Sequence, residues 1–369
     1  MLPTAAPPSD LLRPVTPVDE ALSETSKRLH ASPDGALWLI TDKSIARIQD
    51  EAWHVYLADF TGELAGIDAA DRAWVVSGDT TQIATWDGTS WTAYGADEGW
   101  FPIPLEDGYR DVGWGQSNGL GQFWLATSQD VRVFDGERWT VFTRGDMGMD
   151  PPLHDGLISV FEVTVLSGGE VWVGECEGAA GPIDGRGLRW FDGQTWHGAD
   201  SPVASGCVTA IVEDSSGHIW VGASDVLWRY DPASEDWEQF TPPEPPDPPP
   251  LGQWRYAASY VAMDPSDDPW VSFLICGAAS CDTMALYHVH ERTWTRIEIP
   301  EPVTLDFDAA GTPWLFSVNA VFRVAGDVPE LVANLYAESF TVDASGQVWF
   351  LAWHEGQDWL WTLDTGTGE

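Results

Sequence analysis

Eight histidines and an excess of carboxylates are the groups in this 369-residue chain that could move protons or hold a metal. General acid–base work needs such groups at hydrogen-bond range of one another and of a substrate. His154, beside Asp155, and His354, beside Glu355, lie in segments where loops are expected to cluster. The other histidines are badly placed for joint work. His218 is in a short turn, His54 and His197 are on or beside outer strands, and His30 precedes a turn. His288 and His290 alternate along a strand with one core face. No serine nucleophile elbow, P-loop or HExxH motif occurs. No catalytic or metal-ligating residue is therefore assigned, and no cofactor is expected, with calcium as the one option. Its candidate carboxylates are Asp306 with Asp308, and Asp264 with Asp267 and Asp268, neither at EF-hand spacing.

The second chemistry is recognition. Trp100, Phe101, Tyr109, Arg110, Glu175, Trp254, Arg255, Tyr256 and Trp353 mix aromatic rings with arginine and carboxylate. That mixture suits stacking on sugar rings or cationic groups, with hydrogen bonds at the rim. With His154, His354 and Glu355 these residues form the candidate ligand-binding set.

A repeat must position them. Tryptophans at 38, 74, 124, 172, 220, 270, 314 and 349 are spaced by 36, 50, 48, 48, 50, 44 and 35 residues. Each follows a polar turn. Four turns keep a D-G or D-x-x-G core, at Asp34-Gly35, Asp214–Gly217, Asp308–Gly311 and Asp343–Gly346. Worn versions lie at Asp71-Arg72, Ser117–Gly121, Ser167–Gly169 and Asp264–Asp268. The unit is clearest at 208–240, where β-branched and aromatic runs alternate with Asp, Gly, Ser and Pro, the signature of four short strands. Asp-Gly turns precede Trp91, Trp139 and Trp196, as expected of hairpins between third and fourth strands. Arginine recurs on third strands at 47, 132, 189, 229 and 323, which suggests a structural ion pair. A period of about 40–50 residues with four strands per unit predicts an all-β, eight-bladed β-propeller of four-stranded antiparallel blades, with seven blades as the alternative. Residues 1–25 read as a Pro-rich N-terminal tether able to contribute a closing strand, and 26–369 as a single propeller domain.

The run DSSGHIWVGASDVLWRYD at 214–231 resembles the two-component regulator propeller repeat, with looser matches at 34–41 and 345–352. Such repeats commonly form extracytoplasmic sensor parts of bacterial signalling proteins and also stand alone. The resemblance implies a fold and does not imply a ligand.

In a propeller the second-to-third loops and the blade-to-blade loops share one end of the blades. The long segments 95–111, 143–156, 175–187, 198–206, 241–256 and 276–283 all fall there, and variable loops on a rigid scaffold are the usual home of binding residues. The same reasoning brings Cys176 toward Cys207, and Cys276 and Cys281 flank one loop, so bridges 176–207 and 276–281 are predicted among three pairings. Two disulfides imply an oxidising compartment.

A formal net charge of −41 disfavours nucleic acid and anionic membrane surfaces. No stretch approaches 18 apolar residues, so no transmembrane segment is expected. The Pro/Ala/Ser/Thr-rich N-terminus has no basic n-region or apolar h-region and reads as a tether to a membrane or cell surface. The expectation is a non-enzymatic, extracytoplasmic binding propeller of bacterial type, secreted, periplasmic or cell-surface, for a carbohydrate, peptide or protein ligand. The alternatives are a metal-assisted lyase or lactonase resembling streptogramin lyase or gluconolactonase-like propellers, using His354, Glu355 and His154, and a structural surface subunit.

Overall fold

The computed structural model describes residues 12–18, 22, 27–32, 36–41, 44–49, 52–57, 62–103, 112–149, 159–177, 184–198, 200–243, 255–276, 281–299, 304–308, 310–317, 319–334, 336–343, 345–354 and 356–363. They form eight four-stranded antiparallel sheets, an eight-bladed β-propeller. Blades 1 to 7 span 27–57, 62–94, 116–143, 159–197, 208–240, 255–297 and 304–334, and in each the strand order follows the sequence. Blade 8 spans 337–363 and takes its fourth strand from Leu12–Pro17, which pairs antiparallel with Gln357–Leu363, Leu12 opposite Leu363.

Two compact units divide the chain. One comprises 1–62 and 296–369, with blades 1, 7 and 8, and the other comprises 63–295, with blades 2 to 6. In the second unit each core lies between successive blades. Trp74 of blade 2 stacks on Phe123 of blade 3 at 5.0 Å, with Trp139 edge-on at 5.5 Å. Trp172 of blade 4 meets Tyr230 and Trp237 of blade 5. Trp220 of blade 5 joins Ala258, Val271 and Phe273 of blade 6. In the first unit, Leu29, Leu37 and Leu39 of blade 1 pack with Leu351 and Leu360 of blade 8. Seven of the eight repeat tryptophans are at most 4 % exposed, so they pack the blades as expected; Trp349 is half-buried. Burying such a ring removes about 150–250 Å² from water. That contributes up to about 4–6 kcal/mol each.

The glycine two residues after the tryptophan has a specific reason. A Cβ on Gly174 would lie 2.4 Å from Val208 Cγ1, and one on Gly222 would lie 2.9 Å from Ala258 Cβ. The first strand of the next blade therefore sits directly on this backbone, and a side chain would push it away.

The recurring arginines fall into two groups. Arg47, Arg229 and Arg323 stand opposite Trp38, Trp220 and Trp314 in the register of the second and third strands. Arg132 and Arg189 stand opposite Leu125 and Val173, one residue out of phase, and so project from the other face of the sheet. Arg132 is buried on Asp130, and Arg189 donates to the carbonyls of Met147, Gly148 and Leu188. A single recurring ion pair is thus replaced by a half-buried to exposed set and a buried set.

Candidate functional site

At the short-turn end of the blades the repeat carboxylates that meet the indoles are committed to the fold. Asp214 Oδ1 accepts from the backbone N–H of Ser216 and His218, and its Oδ2 accepts from Trp220 Nε1 at 2.9 Å. Asp308 with Trp314 and Asp343 with Trp349 repeat the bond at 2.9 and 2.8 Å. Asp68 does the same for Trp74 at 2.9 Å. The worn turn of blade 2 therefore begins at Asp68, and Asp71 fills the glycine position with φ +58°. Asn118 caps the turn of blade 3, and Glu170 reaches the Trp172 indole in blade 4. These turns tie each loop to the indole that packs its blade. The Asp-Gly hairpins work similarly: Asp87, Asp135 and Asp192 accept from backbone N–H groups two and three residues on, and Gly88, Gly136 and Gly193 take φ near +100°. Those bonds hold the Asp87 carboxyl down at about 2, and backbone donors also lower Asp135.

The loop-rich end is built differently. Cys176, at the end of the second strand of blade 4, is disulfide-bonded to Cys207, just before blade 5. This is the predicted bridge, and it follows from the shared end of the two loops. Cys276 and Cys281 are register partners on the second and third strands of blade 6; their side chains lie outside the described residues. Glu175, next to the disulfide, is fully buried, pairs with Arg144 and accepts from the Arg186 backbone N–H at 2.8 Å. It ties the turn after blade 3 to the third strand of blade 4 and has no surface to offer a ligand. Glu162, on the first strand of the same blade, is pushed by burial up to about 7.

Trp100 also leaves the candidate surface. It is fully buried, its Nε1 donates to the Thr80 carbonyl at 3.0 Å, and its ring stands edge-on to Trp139 at 5.0 Å under the Arg132 guanidinium. The run after blade 2 folds back and plugs the blade, because the large apolar ring gains more from burial than from water. Phe101, its neighbour, is 55 % exposed, while its carbonyl is held by Arg132 Nη1. Arg255 and Tyr256 open the first strand of blade 6 opposite Cys276 and Ile275, and only their backbone is described. Tyr109, Arg110, His154, Asp155, Trp254 and Glu355 lie outside the described residues.

Blade 8 presents the clearest surface. Its second strand, Val348–His354, and third strand, Gln357–Leu363, pair antiparallel, with His354 opposite Gln357 and Gly356 at φ +93°. Trp353 is 60 % exposed at the tip. The His354 ring is set edge-on to Trp359 and Trp361, at 6.0 and 5.2 Å. The N-terminal strand braces this hairpin: Pro17 pairs with Trp359, and the Val18 N–H donates to the Asp358 carbonyl at 2.8 Å. Ala337 on the first strand is the register partner of Ala352; Tyr336, just before Ala337, is 52 % exposed. The structure thus leaves Trp353 exposed at the end of the strand and packs His354 against the two indoles. Tyr336 stands directly before the first strand of blade 8, outside the long loops in which the sequence places the candidate residues.

Comparison with known proteins supports the fold. Residues 202–225 match the family described as "Two component regulator propeller", so the chain carries that repeat at blade 5. Among solved structures, a catalytically inactive virginiamycin B lyase from Staphylococcus aureus with quinupristin is similar at TM-score 0.52 and 13 % identity, covering 83 % of this chain and 97 % of that one. The extracellular domain of a hybrid two component system from B. thetaiotaomicron is similar at TM-score 0.46 and 15 % identity, covering 83 % of this chain and 39 % of that chain. YCF48 bound to D1 peptide is similar at TM-score 0.49 and 12 % identity, covering 98 % and 99 %. No curated protein matches in sequence. Among the described residues no helix is long and apolar enough to cross a membrane.

Proposed function

We propose that this chain is a non-enzymatic, extracytoplasmic recognition propeller that binds a carbohydrate, peptide or protein ligand at the loop-rich end of its blades. The observation that carries this reading is Trp353, an indole 60 % exposed on a strand-braced hairpin. Exposing so much apolar ring on a rigid support forgoes burial energy that a ligand can recover. Flat aromatic faces fit the apolar face of a sugar ring or a cationic side chain. The net charge of −41 favours neutral or cationic partners over nucleic acid. The Cys176–Cys207 bridge supports an oxidising, extracytoplasmic location.

A lyase or lactonase reading through His354, Glu355 and His154 draws on fold likeness, and fold alone does not carry chemistry. The His354 ring is also engaged edge-on with two indoles. The test uses the full chain on a glycan array and on an array of cationic and neutral peptides, beside the Trp353→Ala variant. Binding by the wild type that the variant loses supports the proposal. Blank arrays, together with a lactone- or depsipeptide-cleaving activity abolished by His354→Ala, would establish the enzymatic reading instead.

A further inference from the structure

Blade 6 departs from the repeat in a way that changes its chemistry. Its turn, Asp264–Asp268, keeps the backbone capping of the other blades: Asp264 Oδ1 accepts from Ser266 N–H at 2.8 Å and Asp268 N–H at 3.0 Å. Asp267 fills the glycine position with φ +64° and holds Ser215 of blade 5. The remaining oxygen of Asp264 is turned to His288 Nε2, 3.4 Å away. His288 stands opposite Trp270 in the register and stacks on its ring at 4.7 Å, which fixes the imidazole plane. In blades 1, 5 and 7 that register position is held by Arg47, Arg229 and Arg323. Those arginines carry a permanent charge and cannot ligate a metal. Blade 6 has a ligating imidazole there, with two carboxylates beside it.

The ligand atoms of Asp264, Asp268 and His288 lie within 4.8 Å of one another, and all three side chains are partly buried. Atoms about 2.0–2.2 Å from one ion can be up to about 4.4 Å apart, so small side-chain rotations would close the set. His290, two residues on and therefore on the same face of the strand, places Nδ1 2.6 Å from Asp268 Oδ2. The neighbours Tyr287 and Val289 point the other way, into the core, which fixes the strand's facing.

We propose that Asp264, Asp268 and His288 form a binding site for a divalent first-row transition ion, with His290 orienting the Asp268 carboxylate. One imidazole and two carboxylates favour ions such as Zn²⁺, Co²⁺ or Mn²⁺, and the nitrogen donor selects against Ca²⁺. Three protein ligands leave further coordination positions to water. The site joins the first turn to the third strand of blade 6 at the short-turn end and is independent of the Trp353 surface.

The test is calorimetric titration of the metal-stripped full chain with Zn²⁺, and with Co²⁺ followed by its visible absorption. One ion per chain is expected, with Co²⁺ displaced by Zn²⁺ and retained in equimolar Ca²⁺. His288→Arg restores the side chain of blades 1, 5 and 7, should fold as they do, and is expected to abolish stoichiometric binding. His290→Gln should weaken it about 10–100-fold, as loss of an orienting partner does. His218→Gln, at the matching turn of blade 5, should leave it unchanged. The proposal is overturned if no stoichiometric ion binds, if His288→Arg binds as the wild type does, or if equimolar Ca²⁺ displaces Co²⁺.

Discussion

Trp220 and Trp353 are the same side chain put to opposite uses. Trp220, in blade 5, is 4 % exposed, packs against blade 6, lies under Arg229 and donates its N–H to Asp214. Trp353, at the tip of blade 8, is 60 % exposed on a hairpin whose strands are fully paired. One indole is consumed by the fold and the other is displayed by it. The difference teaches that residue type does not separate buried from displayed indoles in a tryptophan-rich chain; burial and the Asp214 bond mark Trp220 as part of the fold.

Substitutions should widen or erase that contrast. Trp220→Ala is expected to cost about 3–5 kcal/mol in denaturant unfolding, because it opens a cavity between two blades. Cys207→Ser should cost about 2–4 kcal/mol and make the wild type's sensitivity to reductant disappear. Asp214→Asn should cost about 1–3 kcal/mol, since the indole and two backbone donors lose a charged acceptor. A stability loss for Trp353→Ala as large as that for Trp220→Ala would erase the contrast; a change within about 0.5 kcal/mol is expected.

A pH series sharpens it from the side of a desolvated carboxyl on a strand. Burial raises Glu162 from 4.5 to about 7, so the folded state favours its neutral form. The stability this group contributes is full below about pH 4.5 and is lost as pH rises toward 7. Glu162→Gln should therefore be more stable than the wild type in denaturant unfolding above pH 7, by an amount on the order of 1–3 kcal/mol. The two should converge near pH 4. Parallel curves at all pH values would remove burial as the cause.

Most of the fold was legible because the repeat writes it eight times. The tryptophan period, the Asp-Gly hairpins and the loop ends each follow from local chemistry, and together they led to the Cys176–Cys207 bridge. Where a turn had drifted, as at Asp68–Asp71, only the structure showed which aspartate carried the bond. The arginines misled for a related reason: the period-two alternation of a strand hid that Arg132 and Arg189 face the other way. The candidate site was less legible. Trp100 and Glu175 have the composition of a binding loop, but the run after blade 2 and the end of the second strand of blade 4 turn them inward. That choice depends on cavities formed by distant segments, which no local pattern records. The exposure of Trp353 and Tyr336 was not legible either, because an aromatic residue is visible in sequence while its burial is not.

The most direct measurement is ¹⁹F NMR of the full chain labelled with 5-fluorotryptophan, titrated with the strongest array ligand. The Trp353 and Trp220 resonances are assigned as those lost in Trp353→Phe and Trp220→Phe. The expected result is a saturable shift of the Trp353 signal with the Trp220 signal unmoved. A ligand that saturates the protein while the Trp353 resonance stays in place would contradict the assignment of blade 8 as the recognition surface.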